Sequence, residues 1–302
     1  MPIDHHPSCL AMHLGEYLME PSRFAQAFAI AHRHDFRPID IGGIQLADCA
    51  GTMVETSYGG SYVRSSDGIA SINLSGMMMK GHSKYGGTST IAVRASLRAA
   101  IQDKDTRGIM LVVDSPGGHV AGTQALADDV RMAAGIKPLV AHIEDLGASA
   151  AYWAVSGAQR ITANRTGMVG SIGVINVVQD TSGAAEAAGI QTHVITTGKY
   201  KGAGIDGAPV TDEHLAYIQE RVDGLFAHFA HAVQSGRGMS PDEFSAVSDG
   251  RVFSSDKALA LGLVDDVASI DQASAWLSSQ IEAGERIRRN KARTAQARVD
   301  LI

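Results

Sequence analysis

One stretch organises the whole chain, Glu144-Asp-Leu-Gly-Ala-Ser-Ala-Ala-Tyr-Trp-Ala-Val155. It follows an apolar run, Pro138 to Ile143, which predicts a buried strand, and after Gly147 the sequence becomes rich in alanine and favours a helix. Ser149 lies where strand gives way to helix, and the unpaired N–H groups of a helix N-terminus favour nearby negative charge. Ser149 is therefore a candidate nucleophile. Taken alone, the stretch favours the alternative, an ordinary N-cap serine on a buried helix.

Strand and helix patterns alternate from about residue 68 to 200. Helices are predicted at Thr88–Ile101 and Val120–Ala134, with His119 at the start of the second. The run Ile109–Val113 is apolar throughout, which is typical of a parallel strand buried on both faces. The alternation predicts right-handed βαβ units and an α/β fold. The other predicted strands are Ile69–Leu74, Leu139–Ile143, Ile161–Thr162, Ile172–Ile175 and His193–Thr196.

Beyond residue 200 the pattern is mainly helical. Asp212–Gln234 predicts a long helix with one apolar stripe, and Ser240-Pro241 predicts the start of another, with proline at its first position. Arg251–Phe253 predicts a short strand. The apolar stripe consists of Leu215, Ile218, Val222, Leu225, Phe229 and Val233.

These patterns divide the chain into three segments. Residues 1–65 form an N-terminal arm and lead-in, with a short helix predicted at Ser22–Ala31, and residues 66–270 form the main domain. Residues 271–302 form a C-terminal helical or disordered basic tail, which we interpret as a solvated segment rather than a partner-binding one. Its basic residues include Arg286, Arg288, Arg289, Lys291, Arg293 and Arg298.

Composition restricts the class of protein. The chain has 302 residues, 45% of them hydrophobic, and its net charge of −6 gives no reason to expect a nucleic-acid partner. Two cysteines, Cys9 and Cys49, do not make a disulfide framework, so a reducing compartment is expected. No apolar run approaches the roughly 20 residues of a membrane span, and the N-terminus lacks the order of a signal peptide. We expect a soluble protein that is not exported.

The turn Asp114-Ser-Pro-Gly-Gly118 is a candidate anion cradle, because two glycines after a strand allow backbone N–H groups to point outward. The alternative is a plain strand-to-helix turn capped by Ser115 or Asp114. If Gly117 and Gly118 hold an oxyanion, crowding them should impair turnover while leaving folding intact.

Lys201 is a candidate general base, in Thr196-Thr-Gly-Lys-Tyr-Lys-Gly202. A lysine acts as a base only when neutral, which requires burial and no close carboxylate. The sequence contains no acid between Glu186 and Asp206, which permits this. Lys199 is the competing candidate, and a solvated loop lysine is the alternative for both.

Histidine is not expected to provide the base, because none occurs between His142 and His193 and both His119 and His142 favour structural roles. Ser171, in the tight turn Gly170-Ser171, is a candidate partner of the lysine amine or a turn-stabilising serine. The N-terminal histidines lack metal-ligand spacing, so no metal site is expected.

Six blocks, in order and approximate spacing, resemble the signal peptide peptidase A family of serine peptidases, from about residue 68 to 267. The first two also suit the wider Clp/crotonase superfamily, and the later ones make the match specific. They are Asp114-Ser-Pro-Gly-Gly-x-Val120, Ala148-Ser-Ala-Ala-Tyr152, Gly170-Ser-Ile-Gly-Val174, Gly198-x-x-Lys201, Asp249-Gly-Arg-Val-Phe253 and Ala260-Leu-Gly-Leu-Val-Asp265.

The resemblance implies a crotonase/Clp-like α/β fold of stacked βαβ units, with a parallel-rich sheet flanked by helices. It implies a catalytic dyad of Ser149 and Lys201, an oxyanion role for Gly117 and Gly118 and no cofactor or metal. Two departures, Ala150-Ala151 for Gly-Gly and Val169 for Thr, keep small or β-branched size. An active enzyme is therefore expected.

Within this family the arm segment Leu18-Met-Glu-Pro-Ser-Arg-Phe24 resembles the start of the head-maturation proteases of tailed phages. The resemblance implies a homo-oligomeric ring or dome, capsid or scaffold proteins as partners, and a location in the cytoplasm or, for a phage protein, the host cytoplasm or prohead.

The functional hypothesis is a serine endopeptidase that hydrolyses unfolded or flexible polypeptides, in capsid maturation or cytoplasmic peptide processing. Two alternatives share the fold: a crotonase-like acyl-CoA enzyme, which would need a carboxylate rather than Lys201, and a non-catalytic assembly protein.

Overall fold

The computed structural model describes residues 17–19, 51–83 and 86–299. The predicted helix at Ser22–Ala31 lies outside the described residues. Contacts divide the chain into a larger unit, Leu18–Gly173 with Phe229–Ile302, and a smaller unit, Met1–Tyr17 with Val174–His228. No helix among the described residues combines the length and the apolar character needed to cross a membrane.

The described strands are numbered in chain order. They are β1 Tyr17–Met19, β2 Gly51–Glu55, β3 Ser61–Ser65, β4 Ile69–Ser75, β5 Met78–Met79, β6 Thr88–Ser89, β7 Gly108–Ser115, β8 Gly117–His119, β9 Leu139–Ala148, β10 Arg160–Ala163, β11 Met168–Gly170, β12 Val252–Ser254 and β13 Asp266–Val267.

The α-helices of the same residues are numbered likewise. They are α1 Thr90–Gln102, α2 Thr123–Ala134, α3 Ala150–Val155, α4 Ser182–Ala187, α5 Asp212–Arg237, α6 Pro241–Ser245, α7 Ser255–Ala260 and α8 Ile270–Val299.

A mainly parallel sheet forms the centre of the larger unit. Its strand order is β12-β11-β9-β7-β4-β3-β2, with β10 paired to β9 and to β13. The pairs β4–β7, β7–β9, β9–β10 and β9–β11 are parallel, whereas β2, β3 and β12 pair antiparallel at the edges. The predicted α/β fold with a parallel-rich sheet is confirmed.

The middle strands are buried because their sequences are apolar on both faces. Every residue from Gly108 to Val113 and from Leu139 to Ile143 is buried, which is the pattern of a parallel strand covered by helices. The helix α8 covers one face, with Ala273, Leu277 and Ile281 in a core cluster that includes Met110 and Val140. Beyond residue 285, every α8 residue whose burial the structure describes is exposed.

A smaller sheet has the order β1-β8-β5-β6. Gly118 of β8 pairs in parallel with Met78 of β5, and a Cβ atom at Gly118 would come 2.6 Å from the Met78 nitrogen and closer still to its carbonyl oxygen. Only glycine allows this approach of two backbones. The small sheet therefore depends on Gly118.

Two predicted strands are wrong. Ile172–Ile175 is not a strand, because the strand lies earlier, at β11, and is followed by Ser171 with φ 51°. His193–Thr196 is not a strand either, and Ile195 within it is 97% exposed. A short segment with strand-favouring residues forms a strand only where a neighbouring strand accepts its hydrogen bonds and its side chains are buried.

Two helix predictions need correction. His119 ends β8 rather than starting a helix, because Gly122, at φ 92°, precedes the true first residue of α2, Thr123. In α5 the predicted apolar stripe is only partly buried. Phe229 and Val233 are buried, whereas Leu215 is 46% exposed.

A hydrogen-bonded carboxylate fixes the end of α1. Asp103 accepts from the Tyr62 hydroxyl at 2.9 Å, the Thr106 hydroxyl at 2.9 Å, the Asp105 amide at 3.0 Å and the Arg64 guanidinium. Burial alone would raise the pKa of Asp103, but these donors outweigh burial and hold that pKa well below its usual range.

We expect Asp103→Asn to lower the free energy of unfolding by about 2 kcal/mol at pH 7, because it removes charge-assisted hydrogen bonds. A depressed carboxyl pKa stabilises the fold above the unfolded value of about 4, and this stabilisation is lost as pH falls further. Urea unfolding should therefore show a smaller gap between variant and wild type at pH 3 than at pH 7.

Asp105→Asn is the control, since the Asp105 side chain is 78% exposed and lies 3.6 Å from Arg64. It should change the free energy of unfolding by less than about 0.5 kcal/mol. A gap for Asp103→Asn that stays constant with pH would contradict the ionic role of Asp103.

Candidate active site

Ser149 occupies a strained bend between β9 and α3. It directly follows the last residue of β9 and has φ 57° and ψ −120°. A residue with a side chain rarely adopts positive φ, and such a conformation costs about 1–3 kcal/mol. Among the described residues other than glycine, positive φ occurs at Tyr58, Ser149 and Ser171. Strain at both candidate serines is typical of a functional site.

Ser149 occupies the N-cap position of α3, but the capping role considered for its side chain is wrong. Its side chain makes no capping hydrogen bond to α3, whereas the Ser89 hydroxyl at the start of α1 accepts from the Ala92 amide at 3.3 Å. The residue is 1% exposed, and its Oγ is buried without a hydrogen-bond partner in the described structure. An unpaired buried hydroxyl lowers stability, so its presence calls for an explanation other than helix capping.

Backbone hydrogen bonds hold the two strained serines side by side. The Ser149 amide donates to the Gly170 carbonyl at 2.8 Å, and the Ser171 amide donates to the Arg251 carbonyl at 2.7 Å. Gly170 has φ 127°, and a Cβ atom there would come 2.7 Å from the Arg251 carbonyl oxygen. Ser171, like Ser149, is buried. The predicted turn Gly170-Ser171 therefore lies against Ser149.

The helix α3 anchors the bend from its other side. All six of its residues are buried. Trp153 stacks on Phe229, with ring centroids 4.9 Å apart and planes 7° from parallel, and the Tyr152 hydroxyl donates to the Leu263 carbonyl at 2.8 Å. These contacts leave α3 little freedom to relax the Ser149 backbone.

The glycine turn lies in the same unit as Ser149, and α3 packs against β8. The Ser115 hydroxyl donates to the Gly76 carbonyl at 2.6 Å and accepts from the Gly117 amide at 3.2 Å. Ser115 caps no helix here, because the strand β8 follows the turn and α2 begins only at Thr123. Its hydroxyl instead engages one of the two amides predicted to bind an oxyanion. The expectation that Gly118 could be crowded without affecting folding is wrong, because Gly118 contacts Met78 backbone to backbone.

The candidate lysines belong to the smaller unit. Lys199 forms an ion pair with Glu213, and this pairing raises the pKa of Lys199. Lys199 is therefore a poor general base. The sequence interval from Glu186 to Asp206 did not reveal this, because Glu213 lies beyond it in α5. Lys201 lies in a turn in which its amide donates to the Gly198 carbonyl at 3.0 Å, and its side chain is exposed.

The structural role predicted for His142 agrees with the structure. His142 is fully buried in β9, with Nδ1 2.8 Å from the Thr162 hydroxyl, and burial lowers its pKa. The neutral ring is therefore part of the core of the larger unit. Across the residues that the structure describes, no three His, Cys, Asp or Glu side chains group as metal ligands.

Comparison with known proteins gives one family. The model of peptidase family S49 matches residues 131–284, which is half of the chain. A Methanocaldococcus jannaschii protein with a provisional protease name is 35% identical over 57% of this chain and 55% of its own length. The capsid assembly protease C of Escherichia phage lambda is 30% identical over 72% of this chain and 50% of its own.

A third relative is Protease 4 of Salmonella typhi, 26% identical over 68% of this chain and 33% of its own length. The chain thus spans about half, or less, of each of these three relatives.

The lack of a capping hydrogen bond from the Ser149 side chain can be tested by measuring the free energy of unfolding. We expect Ser149→Ala to change the free energy of unfolding by less than about 0.5 kcal/mol, or to raise it, because no hydrogen bond is lost. Ser89→Ala, at a true N-cap, should lower it by about 1 kcal/mol. Urea unfolding of both variants makes the comparison, and equal losses would restore the capping interpretation.

Proposed function

Because the chain belongs to peptidase family S49, we propose that it is a serine endopeptidase in which Ser149 is the nucleophile and Lys201 the general base. The observation that carries the proposal is Ser149 itself, with an unpaired buried hydroxyl on a strained backbone. Fixed strand-to-helix bends present the nucleophile in other hydrolases. The pairing of Lys199 with Glu213 supports Lys201 as the base.

In the proposed mechanism, the neutral amine of Lys201 takes the proton of Ser149 Oγ as that oxygen attacks a peptide carbonyl. The tetrahedral oxyanion is held by backbone amides of the Gly117-Gly118 turn. Since the Gly117 amide donates to Ser115, we assign the larger role to Gly118 and add the amide of Ala150, the residue after the nucleophile. Lys201 then protonates the leaving amine, and water hydrolyses the acyl-enzyme.

The position of Ser171 next to Ser149 supports the proposed mechanism. Its backbone is fixed next to that of Ser149 by the Gly170 turn, and its hydroxyl belongs to a buried residue. We propose that this hydroxyl accepts a hydrogen bond from the Lys201 amine and orients it. The Ser171 backbone also stabilises the turn, because its amide donates to the Arg251 carbonyl.

The smaller unit supports a homo-oligomer. Within residues 174–228, all of which the structure describes, only Ala208 is buried. A segment with so little core has apolar surface for association. Covering that surface would also exclude water near Lys201, which favours the uncharged amine. The large apolar residues exposed there are Ile175, Ile190, Val194, Ile195, Tyr200, Ile205 and Leu215.

For the substrate we propose unfolded or flexible polypeptide. A relative is the capsid assembly protease of phage lambda, and another is the head-tail preconnector protein of phage P21, 28% identical over 73% of this chain. We therefore propose capsid or scaffold proteins as substrates, with cytoplasmic peptide processing as the alternative.

Catalysis is tested with a fluorescent unfolded protein as substrate. We expect Ser149→Ala and Lys201→Met each to reduce the rate by at least about 10³-fold, because members of a catalytic unit fail together. Lys199→Met should retain most of the activity. A serine-directed fluorophosphonate should label the wild type and not Ser149→Ala. Full cleavage by Ser149→Ala would disprove the mechanism, and thioester turnover that survives Lys201→Met would indicate an acyl-CoA enzyme.

Association is tested by light scattering. We expect the wild type to be a homo-oligomer and Ile195→Asp, at a 97% exposed position, to shift it to smaller species. Ile287→Asp is the matched control, since Ile287 is exposed on α8 of the larger unit, and it should leave the mass unchanged. A monomeric wild type, with secondary structure confirmed by circular dichroism, would refute the oligomer.

A further inference from the structure

The strand β8 has a neighbour on each side. On one side lies β5, and on the other lies β1, the three-residue strand Tyr17–Met19 from the N-terminal arm. Residues Leu18 and Met19 belong to the same compact unit as β8. The arm therefore supplies an outer strand to a sheet whose other strands all come from residues 78–119.

The strand β8 borders the proposed active site. The strand begins with Gly117 and Gly118, the proposed oxyanion residues, and it packs against α3, which starts directly after Ser149. An extended chain paired along the outer edge of β8 would place its main chain next to the nucleophile. At present β1 takes that place.

Sheet edges bind extended polypeptide through backbone hydrogen bonds, with little demand on side chains. Gly117 and Gly118 have no side chains, so the backbone of β8 is open to such pairing. Recognition of this kind suits an enzyme that cleaves flexible polypeptides, because every such substrate has the same main chain. The edge that β1 covers is therefore the edge that a substrate needs.

We propose that Tyr17–Met19 is an internal occupant of the outer edge of β8, where it competes with a substrate that binds as an added strand. The proposal rests on the proposed peptidase function. The segment is short, and Pro21 follows closely and has no N–H group to extend the pairing. A three-residue strand makes few hydrogen bonds, so a longer substrate strand can displace it.

Proline substitution in β1 tests the proposal in the full chain. Successive residues of a strand point their N–H groups to opposite sides, so Leu18→Pro and Met19→Pro are made separately, and one of them removes a donor to β8. Each is combined with Ser149→Ala, and binding of a fluorescent unstructured peptide is measured by anisotropy. If β1 is paired in nine-tenths of the molecules, its release should tighten binding about tenfold.

Three further measurements sharpen the test. In the active enzyme the effective proline variant should lower KM about tenfold without lowering kcat. A synthetic peptide of residues 13–23, added in trans, should restore the weaker binding. Ala11→Pro, outside β1, is the control for a proline in the arm and should bind like its parent.

The outcomes separate this proposal from the catalytic one. Peptide binding to the Ser149→Ala protein needs no catalysis, so tighter binding by a β1 variant supports the arm as occupant even if the peptide is never cleaved. Cleavage of the arm next to Tyr17–Met19 by the wild type, and not by Ser149→Ala, also supports it. If both proline variants, shown to be folded by thermal melting, bind peptide as their parent does, the proposal is overturned.

Discussion

The backbone at Ser149 is the constraint on which the rest of the candidate site depends. A residue at φ 57° and ψ −120° joins the buried strand β9 to the buried helix α3, and it stays there because both neighbours are fixed. The Gly170 carbonyl holds its amide, and the stacked pair of Trp153 and Phe229 holds the helix. The energy of packing in the core thus stabilises a conformation that the serine alone would not adopt.

The same core explains why several small residues cannot be larger. A Cβ atom at Gly147 would come 2.6 Å from the Ile143 side chain, and one at Gly170 would meet the Arg251 carbonyl. A Cβ atom at Gly118 would come closer still to the Met78 backbone. Gly118 and Gly170 each let one segment of the larger unit approach another, whereas Gly147 makes room for a side chain of its own strand. The small residues around the candidate nucleophile therefore have a structural reason as well as a chemical one.

The two units differ in the fraction of their residues that is buried. The larger unit has a central sheet whose middle strands are fully covered, whereas residues 174–228 bury one side chain. Segments with few buried contacts open locally at low free energy. This difference accounts for the wrong strand prediction at His193–Thr196, since none of the strands that the structure describes pairs with this segment. It also places the proposed general base, Lys201, in the part of the chain that we propose to associate with other copies.

The sequence by itself determined the α/β class, the positions of the strands from Ile69 to Ile161, the helices α1 and α2 between them and the family blocks around Ser149, because local periodicity and buried apolar runs are written in neighbouring residues. It also placed Ser171 in a tight turn, whereas Gly117 and Gly118, for which it predicted a turn, belong to the strand β8. Only the tertiary structure decided that the Ser149 side chain does not cap α3, that α8 packs against the central sheet, that Ser115 engages the Gly117 amide, that Glu213 pairs with Lys199 and that β1 lies beside β8. Each of these features depends on a contact between residues that are distant in sequence or on a backbone angle. A pattern of residue types shows neither such contacts nor such angles.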